Sequence, residues 1–432
     1  MKWGLKTLAK LRKFYDLDNA AKIFPVVANE DRSYMFRLSI VLKEEIVPED
    51  LQKALNRITK RFKHLNVRIR KGLFWFFFEE NLNNPILREE NGLINEYLDP
   101  RENNGFLFRT FYYKNRLSVE FFHALTDGKG ALEFINSLAY EYLTLRGAKI
   151  DPEGIIITAD VAGNFQEVQD AFQQLYNKQK IYKVKEPKAY HLKGTFYANH
   201  YNALMHAYIS VEQIRGVAKN LNVSVTELIV GMIILAAKRS GGIGKHYNRL
   251  FRVFIPVNLR QFFPTVSLRN FVSYVRINYD LNQQEQELKD IVQIVKDEFK
   301  KELDPDFMVN RIITNVKTEQ NKILRMAPLF VKIPAMRSVY GMVGETLNSY
   351  DISNLGKVEL PSGMKQYISH YQFTIATSND TPKAASVISF GDTLCLSFIS
   401  KIINRDFEIA FFEILKQQGI LSRIEANNWE VV

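Results

Sequence analysis

The stretch LSVEFFHALTDGKGALEFINSLAYEYLTL, Leu117 to Leu145, changes its period in the middle. At first it alternates, so that Leu117, Val119, Phe121 and His123 share one face of a strand while Ser118, Glu120 and Phe122 share the other. After Asp127-Gly128 the spacing becomes helical, with Ala131, Leu132, Phe134, Ile135, Leu138 and Tyr142 on one broad apolar face. A strand end, a tight turn and a helix start can aim a side chain rigidly into a crevice, and His123 stands where the apolar face runs out. A plainer reading is also open: Asp127 as a helix N-cap, Gly128 as a turn residue and His123 as a core histidine satisfied by a carbonyl. Spacing alone favours the plainer reading.

The flanks repeat this strand and helix grammar. Phe36, Leu38, Ile40 and Leu42 alternate with Arg37, Ser39 and Val41, which predicts a half-buried strand. Pro48 opens a helix whose apolar residues Leu51, Ala54, Leu55, Ile58 and Phe62 lie on one face, and HLNVRIRKG and LFWFFFEE supply two further strands. Farther on, Ser224 and Glu227 have capping-box spacing ahead of LIVGMIILAAKRS, and RLFRVFIPVNLR reads as a buried strand. YISHYQFTIATS, AASVISFGDTLCLSFIS and FEIAFFEILKQQGI read as two or three strands and a closing helix. The region from Gly147 to Pro187 has fewer strong patterns and is the expected crossover between two halves.

With 432 residues the chain is longer than one core usually grows, so two domains are expected, at 1–186 and 187–432. A hydrophobic share of 46% and an aromatic share of 12% exclude a disordered chain. The formal net charge of +11 predicts attraction to polyanions, whether nucleic acid, an anionic membrane or a phosphate-rich small ligand. The 58 basic residues are interspersed with 47 acidic ones, without the dense runs of nucleic-acid modules, and nucleic acid is not an expected partner. A single cysteine, Cys395, excludes an intrachain disulfide and fits a reducing, cytoplasmic setting. Its alternation within TLCLSF makes it a small buried hydrophobe rather than a nucleophile.

The first residues lack the uninterrupted apolar core of a secretory signal, and the run Leu228 to Ala237 is far short of the roughly 20 residues of a membrane span. Trp3, Leu8, Leu11 and Tyr15 fit one face of a short basic helix carrying Lys2, Lys6, Lys10 and Lys13. Both peripheral membrane contact and docking on its own domain are open for it. His191, His200 and His206 lack a carboxylate partner and helical metal spacing, so no metal site is expected. GGIGKHYN departs from a phosphate loop at Arg239 and His246 and reads as a helix-to-strand connection.

FFHALTDG resembles the H-x-x-x-D-G signature of the acyl-CoA-dependent acyltransferases related to chloramphenicol acetyltransferase, which include condensation domains, plant BAHD enzymes and alcohol acetyltransferases. FLFRTFYYKNRLSVEFFHALTDG resembles the strand, hairpin and motif run of that family, and LQKALNRITKRFKHLNVRIR its early helix and strand. VFIPVNLRQFFPTVSLRNFVS, Val253 to Ser273, is similar to its P-V-N-x-R … G-N segment, and YDISNLGKVELP to its S-N-x-G loop. Three blocks in the same order cover most of the chain. Phe122 stands where condensation domains carry a second histidine, the D-F-G-W-G motif of BAHD enzymes is absent, and SLRNF lacks the usual glycine before Asn270. The pattern is closest to the bacterial alcohol acetyltransferase-like proteins.

The resemblance implies an α/β protein of two chloramphenicol acetyltransferase-like domains, each a mixed β-sheet flanked by helices, with a tunnel at their interface. It implies transfer of an acyl group, acetyl among the options, from acyl-CoA to a small alcohol or amine, with His123 as general base and no covalent acyl-enzyme. Acyl-CoA is then a co-substrate, and no permanently bound cofactor is expected. Asp127 is implied to pair with Arg260 and hold the turn, while Gly128 lets the backbone run close to the channel. Asn270, Ser273 and Asn354 are implied on the acceptor or oxyanion side. A carrier protein's phosphopantetheine arm is an alternative donor, and a non-catalytic binding member of the fold is a third reading.

Overall fold

The computed structural model describes residues 13–175, 187–240, 250–283, 287–320 and 326–427. The stretch that opened the reading folds as strand Arg116–Phe122 and helix Gly128–Leu145. That strand lies inside a sheet ordered Leu87–Glu89, Phe108–Tyr113, Arg116–Phe122, Met35–Leu42 and Ile368–Ile375. Helix Gly128–Leu145 covers one face together with helix Pro48–Arg61, which opens on proline, carries Glu49 and Asp50 in its first turn, and ends on Lys60 and Arg61. Phe134 anchors the layer between them, meeting Phe62, Phe108 and Phe121 edge-to-face at 5.3, 5.4 and 5.9 Å.

Strand Met35–Leu42 is not half-buried as its alternation predicts; Arg37 and Ser39 are buried too. The chain at 90–95 lies over that face, so Arg37 must be satisfied there. It pairs with Glu120 at 2.8 Å and with Glu90, and donates to the Leu93 carbonyl at 3.0 Å. Glu120 in turn accepts from Arg109 and from the Asn95 amide.

The second sheet runs Val272–Tyr279, Phe251–Asn258, Tyr350–Lys357, Lys383–Phe390, Thr393–Ser400, Ala203–Ser210 and Ser422–Ala426. Tyr350–Lys357 pairs parallel to both neighbours and the other pairings are antiparallel, which makes the sheet mixed. Its core helix Val225–Arg239 starts with the capping box of Ser224 and Glu227, and the apolar run from Leu228 to Ala237 is buried throughout. Helices Leu288–Glu302 and Asp406–Gln417 pack against it. Strand Ser422–Ala426, which follows the closing helix, was not anticipated from the sequence.

Strand Ile368–Ile375 belongs to the first sheet although its neighbours in sequence, Tyr350–Lys357 and Lys383–Phe390, belong to the second. The chain therefore crosses between the lobes twice within that stretch. Strands Phe14–Asp16, Phe76–Glu80 and Val67–Lys71 form a third, small sheet. Tyr15, expected on a helix face, is a strand residue there, and the rest of the expected basic helix, apart from Lys13, lies outside the described residues, as does GGIGKHYN. Between Gly147 and Pro187 the described part carries the short turns Phe165–Val168 and Ala171–Leu175. There the Glu167 carbonyl accepts from the Leu268 amide at 2.8 Å, which ties the connection to the second lobe.

Candidate active site

His123 follows the last residue of its strand, its amide donating to the Tyr34 carbonyl at 2.9 Å. Phe24 stacks on the imidazole with centroids 4.8 Å apart, and Phe36 flanks it at 5.1 Å. Nδ1 lies 3.1 Å from Oδ1 of Asn270. The Asn270 amide is oriented from behind, because its Nδ2 donates to Oδ2 of the fully buried Asp18 at 3.2 Å. An oxygen facing Nδ1 requires the proton on Nδ1, which leaves the lone pair on Nε2. Nε2 has no hydrogen-bond partner among the described residues. Burial lowers the His123 pKa, opposed by its own backbone, the Asp127 charge and the Asn270 contact, so the ring stays neutral below the ordinary histidine range.

Asp127 combines the two roles that the sequence left as alternatives. Oδ1 accepts from the amides of Lys129 and Gly130, each at 3.1 Å, and caps the helix. Oδ2 accepts from Arg260 Nη1 at 2.7 Å and from the Phe271 amide at 2.8 Å. Arg260 also donates to the carbonyls of Ser267 and Arg269, so one guanidinium ties the turn of the first lobe to the loop that carries Asn270. Gly128 and Gly130 need no unusual backbone here; they make room. A Cβ at Gly128 would overlap Cδ2 of Leu355, and one at Gly130 would overlap the Leu268 carbonyl oxygen.

The imidazole borders a cavity of about 1910 Å³ walled by both lobes. Phe36 and Phe373 come from the first sheet, Pro256, Ser273 and Asn354 from the second. Ionisable groups line it as well. Asp351 is pushed up to about 8, by burial first and then by Glu345, with Arg276 pulling the other way. Glu345 accepts from Arg32 Nε at 2.9 Å and from the Tyr34 hydroxyl at 2.7 Å.

Compared as a sequence, the chain matches no protein-family model and no curated protein. Its structure does have counterparts. The Fusarium sporotrichioides protein TRI101, solved with coenzyme A and T-2, superposes with a TM-score of 0.64 at 11% identity, over 95% of this chain and 99% of that one. The first condensation domain of the calcium-dependent antibiotic synthetase gives 0.63 at 11% identity, over 95% and 96%. The wax ester synthase/diacylglycerol acyltransferase of Marinobacter aquaeolei gives 0.55 at 12% identity, over 94% and 100%. The chain has the chloramphenicol acetyltransferase-like fold.

Within this acyltransferase-type fold, the residues singled out from the sequence divide by position. His123, Asp127, Arg260 and Asn270 form one connected cluster, and Gly128 packs beside it on Leu355. Ser273 sits on the neighbouring strand Val272–Tyr279 and lines the cavity. Asn354 also lines it, but its amide is committed: Nδ2 donates to Thr226 Oγ1 and Oδ1 accepts from the amide of Gly356, whose φ of +72° needs glycine. Asn270, implied on the acceptor or oxyanion side, instead spends its oxygen on the imidazole and its nitrogen on Asp18.

Asp18 was missed. Its spacing to Ala21, whose amide Oδ1 accepts at 2.7 Å, is a local turn signal, but nothing near it in sequence points to Asn270, 252 positions away. His191, His200 and His206 do not converge. His191 faces the carbonyls of Asp380 and Thr346, His200 lies near Glu30 and Asp31, and His206 bonds Ser397. Cys395 is buried beside His206, and burial pushes its thiol up to about 12, far from thiolate chemistry.

Proposed function

We propose that the protein is an acyltransferase that moves an acyl group from acyl-CoA to a hydroxyl or amine acceptor, with both substrates meeting in the cavity at His123. The observation that carries this reading is the imidazole itself, with Nδ1 committed to Asn270 and an unpartnered Nε2 at a cavity large enough for two substrates. Nε2 takes the proton of the acceptor as its oxygen or nitrogen attacks the thioester carbonyl carbon. The tetrahedral oxyanion then collapses, the carbon–sulfur bond breaks, and the thiolate leaves with the proton held on the imidazolium. Ser273 is the side-chain donor that we assign to the oxyanion. Asp127 and Arg260 hold the turn and touch no reacting atom.

The likeness to TRI101 solved with coenzyme A supports a CoA donor, and the net charge of +11 suits a donor that carries several phosphates. The test is release of free thiol from acetyl-CoA and longer acyl-CoA with panels of alcohols and amines, set beside the same acyl groups on a carrier protein. Acceptor-dependent thiol release that His123→Ala abolishes, with an unchanged melting temperature, is the expected result. Release that survives His123→Ala would remove the base from the mechanism, and release from the carrier alone would replace the donor.

A further inference from the structure

The segment 326–343 forms one wall of the cavity and exposes several apolar side chains to the exterior. Lys332, Ala335, Met336 and Tyr340 of helix Leu329–Val343 line the cavity, and Phe330, Val331, Val339 and Met342 of the same helix are exposed. Its first turn rests on the tip of the hairpin joining Val67–Lys71 to Phe76–Glu80. The Leu329 amide donates to the Leu73 carbonyl at 2.8 Å, Lys332 Nζ donates to the Phe74 carbonyl at 2.9 Å, and the same ammonium lies 4.7 Å from the Trp75 ring centroid. Together they present Leu73 at 67% exposure, Phe74 at 49%, Met326 at 75%, Phe330 at 69% and Val331 at 52%. Scattered apolar residues on a surface need no cause, but five adjoining ones at the wall of a large cavity do.

Charge selects the occupant. The hairpin strands and the helix carry five cations, Arg68, Arg70, Lys71, Lys332 and Arg337, against the two carboxylates Glu79 and Glu80. Arg68 and Arg70 share Glu79 of the adjoining strand, Lys71 is exposed beside the apolar tip, and Arg337, exposed farther along the helix, donates to the Val26 carbonyl at 2.7 Å. An apolar tip with cations at its margin matches the layering of an anionic bilayer, hydrocarbon beneath phosphate. No single helix among the described residues is long and apolar enough to cross a membrane.

We propose that the hairpin tip at Leu73–Phe74 and the first turn of helix Leu329–Val343 dock on an anionic phospholipid surface, with the cavity opening beside the bilayer. Membrane binding here stands apart from the proposed chemistry. If that chemistry also holds, one substrate is drawn from the lipid phase. Co-sedimentation with phosphatidylcholine vesicles, with and without phosphatidylglycerol, tests the docking directly. The full chain is expected to sediment with the anionic vesicles. The combined substitution Leu73→Ser, Phe330→Ser and Val331→Ser, at positions that do not line the cavity, is expected to weaken this by roughly tenfold or more with the melting temperature unchanged. Leu421→Ser, an equally exposed site by the edge strand Ser422–Ala426, is expected to change nothing. Should the combined variant lose its fold, Phe330→Ser alone is read in the same way. No sedimentation, sedimentation indifferent to lipid charge, or an unaffected folded variant would overturn the proposal. So would a doubling of mass in solution that the variant abolishes without any vesicle binding, because the face would then belong to a second copy.

Discussion

His123 depends on neighbours that act on different atoms. Asn270 holds Nδ1, Phe24 and Phe36 fix the ring plane, and burial keeps the ring neutral. A lowered histidine pKa moves the acid limb of activity downward. kcat/KM is therefore expected to stay flat through neutrality and to fall only below the ordinary histidine value of about 6.5; a limb above that value would contradict the burial argument. Asp18 supplies the second half of the hold. Burial pushes it up to about 6, with Arg269 opposing, so at neutral pH it is the ionised acceptor that Asn270 Nδ2 requires. Asn270→Ala is expected to lower kcat by roughly 10- to 100-fold with KM little changed, and Asp18→Asn to act in the same direction more weakly. A KM effect without a kcat effect would make Asn270 a binding residue instead. Asp127 is both cap and ion-pair partner, and Asp127→Asn leaves the largely covered guanidinium of Arg260 without its counter-charge. Breaking such a pair typically costs about 3–5 kcal/mol, so denaturant unfolding should show a loss of that order together with lost turnover.

The helix Gly128–Leu145 carries its constraint at its first turn. Gly128 and Gly130 are the points where the second lobe comes closest, through the Leu355 side chain and the Leu268 carbonyl. The two contacts differ in kind, and so do the expected variants. Gly128→Ala meets the end of a side chain, and its cost of roughly 1–3 kcal/mol should be largely recovered in the double variant Gly128→Ala/Leu355→Ala. Gly130→Ala meets backbone, and no side-chain trimming should rescue it. Thermal unfolding of Gly128→Ala, Gly128→Ala/Leu355→Ala, Gly130→Ala and Gly130→Ala/Thr126→Ala gives the comparison; equal rescue at both sites would refute the distinction. Thr126 Oγ1 donates to the Leu268 carbonyl at 2.6 Å beside the same contact and ties the turn to the loop.

Across the protein as a whole, buried ionisable groups set the pH dependence of stability. His64 and His206 are held near 3, chiefly by burial, so the unfolded chain takes up protons near 6.5 that the native protein refuses. Stability from these two is lost as the pH falls below about 6.5. Asp18 and Asp351 are raised, to about 6 and about 8, and their effect has the opposite sign: stability is lost as the pH rises from about 4 toward those values. The two pairs oppose each other between about pH 4 and 6, and above about 6.5 only Asp351 still acts. Stability should therefore decline from pH 6.5 to 8 by up to roughly 1.4 kcal/mol per unit, and Asp351→Asn should flatten that decline in chemical denaturation at the two pH values. An unchanged slope in the variant would show that Asp351 ionises normally.

Much of this molecule was legible from consecutive residues. The alternation before His123, the helical spacing after Gly128 and the capping box at Ser224 each specify an element, because side-chain direction follows backbone period over a few residues. The same patterns misjudged strand Met35–Leu42, since period reports which residues differ and not what later covers the polar ones; Arg37 is polar and buried because Glu120 and Glu90 meet it. Arg260 was reached through family resemblance rather than through spacing, and Asp18 was not reached at all. Asp127 and Arg260 are 133 positions apart, and His123 and Asn270 are 147 apart. Such pairs exist only once the lobes close, when Leu355 and the Leu268 carbonyl press against two glycines and strand Ile368–Ile375 crosses to the other sheet. Local period is written residue by residue into the chain, whereas the surroundings of a buried charge or an imidazole are set by which distant segments packing brings against it.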